Sequence, residues 1–212
     1  MTFFEVLVVI CVVGLLAVMF LMAWSPTHPA KRKSSRINCV NNLKQTALAF
    51  RVWEGDNGDN YPMKFALTNS EAMKLIGSGN AYILWQTMSN ELSTPKVLLC
   101  PADTEHQAAN NFSTGFSDAN ISYFIGLDAN GANPQTMLIG DDNLAVSGTP
   151  VKPGILNLAT NSPVTWTAAR HNFAGNIALA DGSVQQITSA GLTAAVADSA
   201  TTNQPVVRLV IP

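Results

Sequence analysis

A chain of 212 residues suits one domain with an appendage, and it can bury a core of its own. Only 12% of the residues are charged, against a usual share of roughly 25%. The net charge is −2, and the single basic cluster, Lys31-Arg32-Lys33, is too short to hold a polyanion, so composition argues against nucleic acid as a partner.

The chain opens "MTFFEVLVVICVVGLLAVMFLMAW", and residues 6–24 carry no charge. As a helix rising 1.5 Å per residue this run extends roughly 28 Å, close to the hydrocarbon thickness of a bilayer. A secretory signal would show a basic start and a small-residue cleavage site after a shorter apolar core, and neither is present. A buried core helix seldom runs this long without a polar position. A plain single-pass anchor explains the length but gives Glu5 no purpose. A carboxylate at the edge of an apolar span needs a specific partner. No Lys, Arg or His precedes His28, so the nearest positive charge is the α-amino group of Met1, on the same chain or on a neighbour. In a staggered array of helices, Glu5 of one subunit would neutralise the amino terminus of the next and fix their axial register.

This segment resembles the mature amino terminus of type IV pilins and type II secretion pseudopilins: a variable first residue, Thr2, apolar residues at 3 and 4, Glu5, then an uninterrupted apolar helix. The resemblance implies removal of a basic leader by prepilin peptidase and N-methylation of Met1, with the numbering that of the processed protein. Met1 departs from the Phe usual there. The resemblance also implies an α+β fold: a long amino-terminal helix and a globular head containing an antiparallel sheet.

Pro26 and Pro29 predict a break in the rod over residues 25–33, after an apolar helix over 1–24. Ile37, Val40, Leu43, Ala47 and Phe50 recur at helical spacing and predict an amphipathic helix over 34–54, stopped at Gly55 and "DNGDN". Residues 55–212 form the head, with a helix or two in "MKLIGSGNAYILWQTM" and short strands in "ISYFIGLDANG", "TMLIGDDN", "NIALADGSVQQIT" and "QPVVRLVIP". Asp181-Gly182 suits a two-residue type I′ hairpin turn with Leu179 opposite Val184.

A second resemblance rests on the head. "HNFAGNIALADG", from His171 to Asp181-Gly182, matches the H-x9-DG signature of a pilin-like family; "CVNNLKQTALAFRVWEGDNGDNYP" and "LLCPAD" match further parts of its pattern. Residues 64–96 and 104–170 carry little of it.

Lys31-Arg32-Lys33 would keep the head in the cytoplasm by the positive-inside tendency, whereas the resemblance places it outside. Cys11 lies in the apolar run as a small hydrophobe. Cys39 and Cys100 would form a disulfide in an oxidising compartment, closing a loop of about sixty residues and contributing about 4 kcal/mol in the chain-entropy model; two buried free thiols are the alternative. No CxxC or paired His supports a metal site at these cysteines. His171 and Asp181 suggest acid-base chemistry only weakly, because Asp181-Gly182 makes a turn and His171 with Asn172 is expected to hydrogen-bond backbone. No nucleophile elbow, phosphate loop or dinucleotide fingerprint is present, so no enzyme and no cofactor is expected. Major pseudopilins hold calcium in the head, and oxygen-rich loops occur at 56–60, 128–133 and 141–143; none has EF-hand spacing, and solvated turn residues are the plainer reading. Asn111 and Asn120 sit in glycan-acceptor triplets too common to read.

These features predict a structural subunit of a pilus-like filament, held first in the inner membrane and then outside the cell. Its partners would be further copies of itself, prepilin peptidase and an assembly machinery. A major pseudopilin of a type II secretion system and a membrane-anchored binding or adhesion protein are the alternatives.

Overall fold

The computed structural model describes residues 2–23, 28–202 and 204–212. The chain divides into two compact units, Met1–Ser34 and Ser35–Pro212.

In the first unit, α1 (Phe3–Ala23) is apolar all round, and none of the span Phe3–Leu21 is buried. Its length and composition are those of a helix that can cross a membrane. The predicted break at 25–33 is corrected in part. Residues 24–27 lie outside the described residues, but α2 (His28–Asp56) already begins at His28 rather than at Ser34. Pro29 falls in its first turn, where a missing N–H breaks no helical hydrogen bond.

In the second unit, α2 turns Cys39, Leu43, Ala47 and Phe50 inward, all fully buried. The helix ends where Gly58 and Asp59 adopt positive φ, 63° and 59°. Short helices follow: α3 (Pro62–Thr68), α4 (Ser70–Gly77), α5 (Tyr82–Thr87) and α6 (Ser89–Leu92). Asn69 caps α4 by accepting from the Glu71 and Ala72 amides, at 3.0 and 3.2 Å.

The main sheet has six antiparallel strands, ordered β5-β9-β1-β2-β7-β8. They are β1 (Tyr123–Gly126), β2 (Met137–Asp141), β5 (Gly154–Ala159), β7 (Ala174–Leu179), β8 (Val184–Thr188) and β9 (Val206–Ile211). Three strands, β3 (Leu144–Val146), β4 (Thr149–Pro150) and β6 (Val164–Trp166), form a smaller sheet, and α7 (Ser189–Ser199) packs on β6 and β8. The main sheet is covered on both faces. Tyr123, Ile125, Ala178 and Val210 join the core beneath α2, while Phe124, Ile177, Leu209 and Ile211 join a second core with Trp166, Leu192 and Val196. Burial on both sides explains why β1 and β2 read as unbroken apolar runs rather than as alternating ones.

Candidate functional site

At the amino-terminal end, the Thr2 amide donates to Glu5 Oε2 at 2.7 Å. The Glu5 and Val6 amides donate back to the Thr2 carbonyl at 3.0 and 3.4 Å. Thr2 is therefore the N-cap residue, and Glu5, three positions on, closes half of a capping box. This second use for the carboxylate was missed in the sequence, although the T-x-x-E spacing carries it. Met1, the expected site of processing and methylation, lies outside the described residues.

A buried polar knot occupies the end of the head where β1 begins, β2 ends and β7 starts. Cys39 on α2 and Cys100 are joined as a disulfide, with Cα atoms 4.9 Å apart. Asn42, one turn on from Cys39, donates to the Leu99 carbonyl at 2.8 Å, holding the Cys100 loop against α2. That loop turns at Pro101, the Asp103 amide donating to the Cys100 carbonyl at 2.8 Å. The turn points Asp103 inward. Its carboxylate accepts from the Glu105 and His106 amides, from Ser122 Oγ at 2.6 Å and from Arg170 Nη2 at 2.6 Å. Arg170, with a side chain only 2% exposed, also pairs with Asp142 and donates through Nη1 to the Ser122 carbonyl at 2.5 Å. One guanidinium thus ties together the Cys100 loop, the start of β1, the end of β2 and the approach to β7.

The electrostatics follow from burial and from this cation. Burial alone would raise the Asp103 carboxyl, but the His106 hydrogen bond, the Arg170 charge, Ser122 and the backbone donors outweigh it and hold it well below the usual carboxylate range. The bond to Asp103 raises His106 against the effect of its own burial. Burial wins at the two following carboxyls, pushing Asp141 up to about 6 and Asp142 to about 7 despite Arg170. His171 is lowered to about 4 by burial and by the nearby charges of Arg36 and Arg170, so it is a neutral imidazole at pH 7.

Among the described residues His171 makes no hydrogen bond to backbone, contrary to what the sequence suggested. Its Nε2 lies 3.5 Å from Cys100 Sγ and 3.5 Å from Asp141 Oδ2. The predicted hairpin exists, but its turn differs. Ala178, not Leu179, faces Val184, and of the loop residues only Gly182 has positive φ, 86°. The Gly182 amide donates to the Leu179 carbonyl and the Leu179 amide to the Ser183 carbonyl, the pattern of a three-residue loop with a G1 bulge. Tyr61 reaches this loop from the "NYP" segment, its hydroxyl donating to the Ala180 carbonyl at 2.8 Å. The separated motifs "NYP", "CPAD" and H-x9-DG therefore meet as structural contacts. His171 and Asp181 do not share a site, because β7 runs between them. Ser183 hydrogen-bonds Asp181 at the hairpin turn, and the sulfur beside His171 is the Cys100 Sγ held in the disulfide.

At the opposite end of the sheet is a cavity of about 490 Å³. Asp59 and Asn60 line it together with Asp128, Asn130 and Asn133, so two of the three oxygen-rich loops converge there while residues 141–143 lie at the other end. The Asp128 carboxylate is already held by Arg208, through its amide at 3.0 Å and Nε at 3.0 Å, and Asn130 is bonded within its own loop. A cation taking Asp128 would share that carboxylate with the Arg208 guanidinium.

No protein-family model, curated protein or solved structure matches the chain.

Proposed function

We propose that the chain is a structural subunit of a type IV pilus-like filament, with α1 stored in the inner membrane and then transferred to the fibre core. In lipid a helix satisfies its own backbone. In the fibre, apolar helices pack on one another, and the contacts are heterologous and open, so subunits add without limit. The observation that carries this reading is α1 itself: apolar around its whole circumference, unburied over Phe3–Leu21, and bearing one carboxylate in its first turn. The outer face of α2 adds support. Ile37, Leu48 and Val52 are 49%, 63% and 48% exposed and lie on one side of the helix, opposite the face that enters the core. A pseudopilus subunit would use the same parts in a shorter, envelope-spanning fibre. Prepilin peptidase and a separate assembly motor are the partners this reading requires.

A plain membrane anchor would use Glu5 only as a helix cap, and that alternative can be tested. Glu5→Gln keeps an oxygen to accept from the Thr2 amide but removes the charge, whereas Glu5→Ala removes both. Pairing with a neighbour's amine predicts that fibres are lost in both variants while the head stays folded. If Glu5→Gln assembles normally, the carboxylate is a cap and the filament pairing is wrong.

A further inference from the structure

The knot around the disulfide holds donors that the disulfide does not use. The Sγ atoms of Cys39 and Cys100 and Nε2 of His171 lie within 4.8 Å of one another, all three residues buried. Asp141, fully buried, adjoins His171, with Oδ2 3.5 Å from His171 Nε2 and accepting from the Asn176 amide and side chain at 2.8 and 2.9 Å, while its Oδ1 has no hydrogen-bond partner among the described residues. A buried carboxylate oxygen without a donor is costly unless something cationic reaches it.

The spacing fits a tetrahedral metal. With metal–sulfur bonds of about 2.3 Å and metal–nitrogen bonds of about 2.0 Å, the sulfur-to-nitrogen edge of such a site is roughly 3.5 Å and the nitrogen-to-oxygen edge roughly 3.3 Å. The Cys100 Sγ to His171 Nε2 separation is 3.5 Å and the His171 Nε2 to Asp141 Oδ2 separation 3.5 Å. The Cys100–His171 edge of the tetrahedron is therefore built before any ion arrives, and Asp141 would bring its unpaired Oδ1 to the fourth position while Oδ2 stays on Asn176. The missing freedom is in the sulfurs, which the disulfide ties to each other.

We propose that the reduced head binds one zinc ion through Cys39, Cys100 and His171 with Asp141 in the fourth position, and that oxidation to the disulfide by a small-molecule disulfide, which takes up the two electrons and leaves as two thiols, expels it. Reduction by two equivalents of a small thiol breaks the S–S bond: two electrons pass to the protein sulfurs, the reductant leaves as its own disulfide, and two protein thiols form. Zinc then replaces the two thiol protons, which go to solvent. Two thiolates, one carboxylate and Zn²⁺ sum to one negative charge, and the Arg36 guanidinium, whose charge reaches both Asp141 and His171, offsets it. Thiolate and imidazole donors favour zinc over the hard cations that oxygen loops would take. The same side chains would then close the head in both redox states, by a metal clip when reduced and by a covalent bond when oxidised.

The test uses the full chain in detergent, reduced with a phosphine under argon and titrated with Co²⁺. The proposal predicts one equivalent bound, with a thiolate-to-cobalt charge-transfer band and the visible bands of four-coordinate cobalt, both erased by added Zn²⁺. The oxidised chain should show neither band. His171→Ala should weaken cobalt binding at least tenfold, in line with the loss of a ligand. In the unsubstituted chain, Zn²⁺ should raise the unfolding temperature of the reduced protein and leave that of the oxidised protein unchanged. Absence of stoichiometric cobalt in the reduced chain, equal affinity in the His171→Ala variant, or an equal zinc effect on both redox states would overturn it.

Discussion

Arg170→Met tests whether the polar knot holds the head together. The substitution keeps most of the side chain's volume but leaves Asp103 and Asp142, 1% and 8% exposed at their side chains, facing each other without their shared cation. Breaking a buried ion pair by removing one partner costs about 3–5 kcal/mol. Asp103 keeps four other donors, which holds the figure at the lower end. For a domain of this size each kcal/mol lowers the midpoint by about 2–4 °C, so the drop should be roughly 6–15 °C. Thermal unfolding of the full chain in detergent is followed by near-ultraviolet circular dichroism, in which the buried Trp85 and Trp166 of the head lose their signal on unfolding. Arg170→Lys should fall between, since an ammonium restores charge but not the fork that reaches Asp103, Asp142 and the Ser122 carbonyl together. A loss below about 1 kcal/mol for the Met variant would refute the assignment, because a pair that matters so little behaves like an exposed one.

Other substitutions probe the rest of the head. Replacing Cys39 and Cys100 together by Ala removes a cross-link between residues 61 apart in sequence and should lower stability by about 4 kcal/mol on the chain-entropy estimate, read from denaturant midpoints. Asp103→Asn and Asp142→Asn should respond to pH in opposite ways. The Asp103 carboxyl is held below its usual 3.8, so its stabilisation is present above that value and lost as the pH falls, and the gap between parent and Asp103→Asn should close in acid. Asp142 is raised to about 7, so its contribution is full below 3.8 and lost as the pH rises through about 7; Asp142→Asn should gain on the parent over that range. Gly175→Ala would place a Cβ 2.6 Å from the buried Trp166 ring and should cost about 1–3 kcal/mol by overpacking, measured as a lowered unfolding midpoint.

Much of this architecture was legible in the residues, and the gaps have physical causes. The α1 helix is evident from its uninterrupted apolar run, and α2 from the spacing of Ile37, Val40, Leu43, Ala47 and Phe50, although Ile37 turns outward and is 49% exposed. Its start was misplaced because Pro29 reads as a breaker unless it is allowed in a first turn. Asp181-Gly182 marks a hairpin, yet a type I′ turn and a type I turn with a G1 bulge both want Gly at the positive-φ position, so the dipeptide alone does not choose between them. The α7 helix escaped notice because Leu192 and Val196 are its only large apolar anchors among Ala, Ser, Thr and Gly. β5 escaped because it lies at the sheet edge with an irregular burial pattern.

At the knot, attention fell on His171 when its neighbour Arg170 carries the charge. In a chain with so few charged residues, an Arg inside the neutral stretch "TWTAARHNFAG" and an Asp behind "LLCP" were signals of burial. That the two would pair required the fold, since β1 and β2 lie between them.

The central claim is that the Glu5 carboxylate meets the amino terminus of another copy, and a density map of assembled native material tests it most directly. The account predicts long fibres with the apolar helices at the centre and Glu5 within about 4 Å of a neighbouring α-amino nitrogen, the ordinary reach of an ion pair. Separate copies in detergent, or fibres in which each Glu5 stays on its own Thr2 amide with no amine beside it, would contradict it.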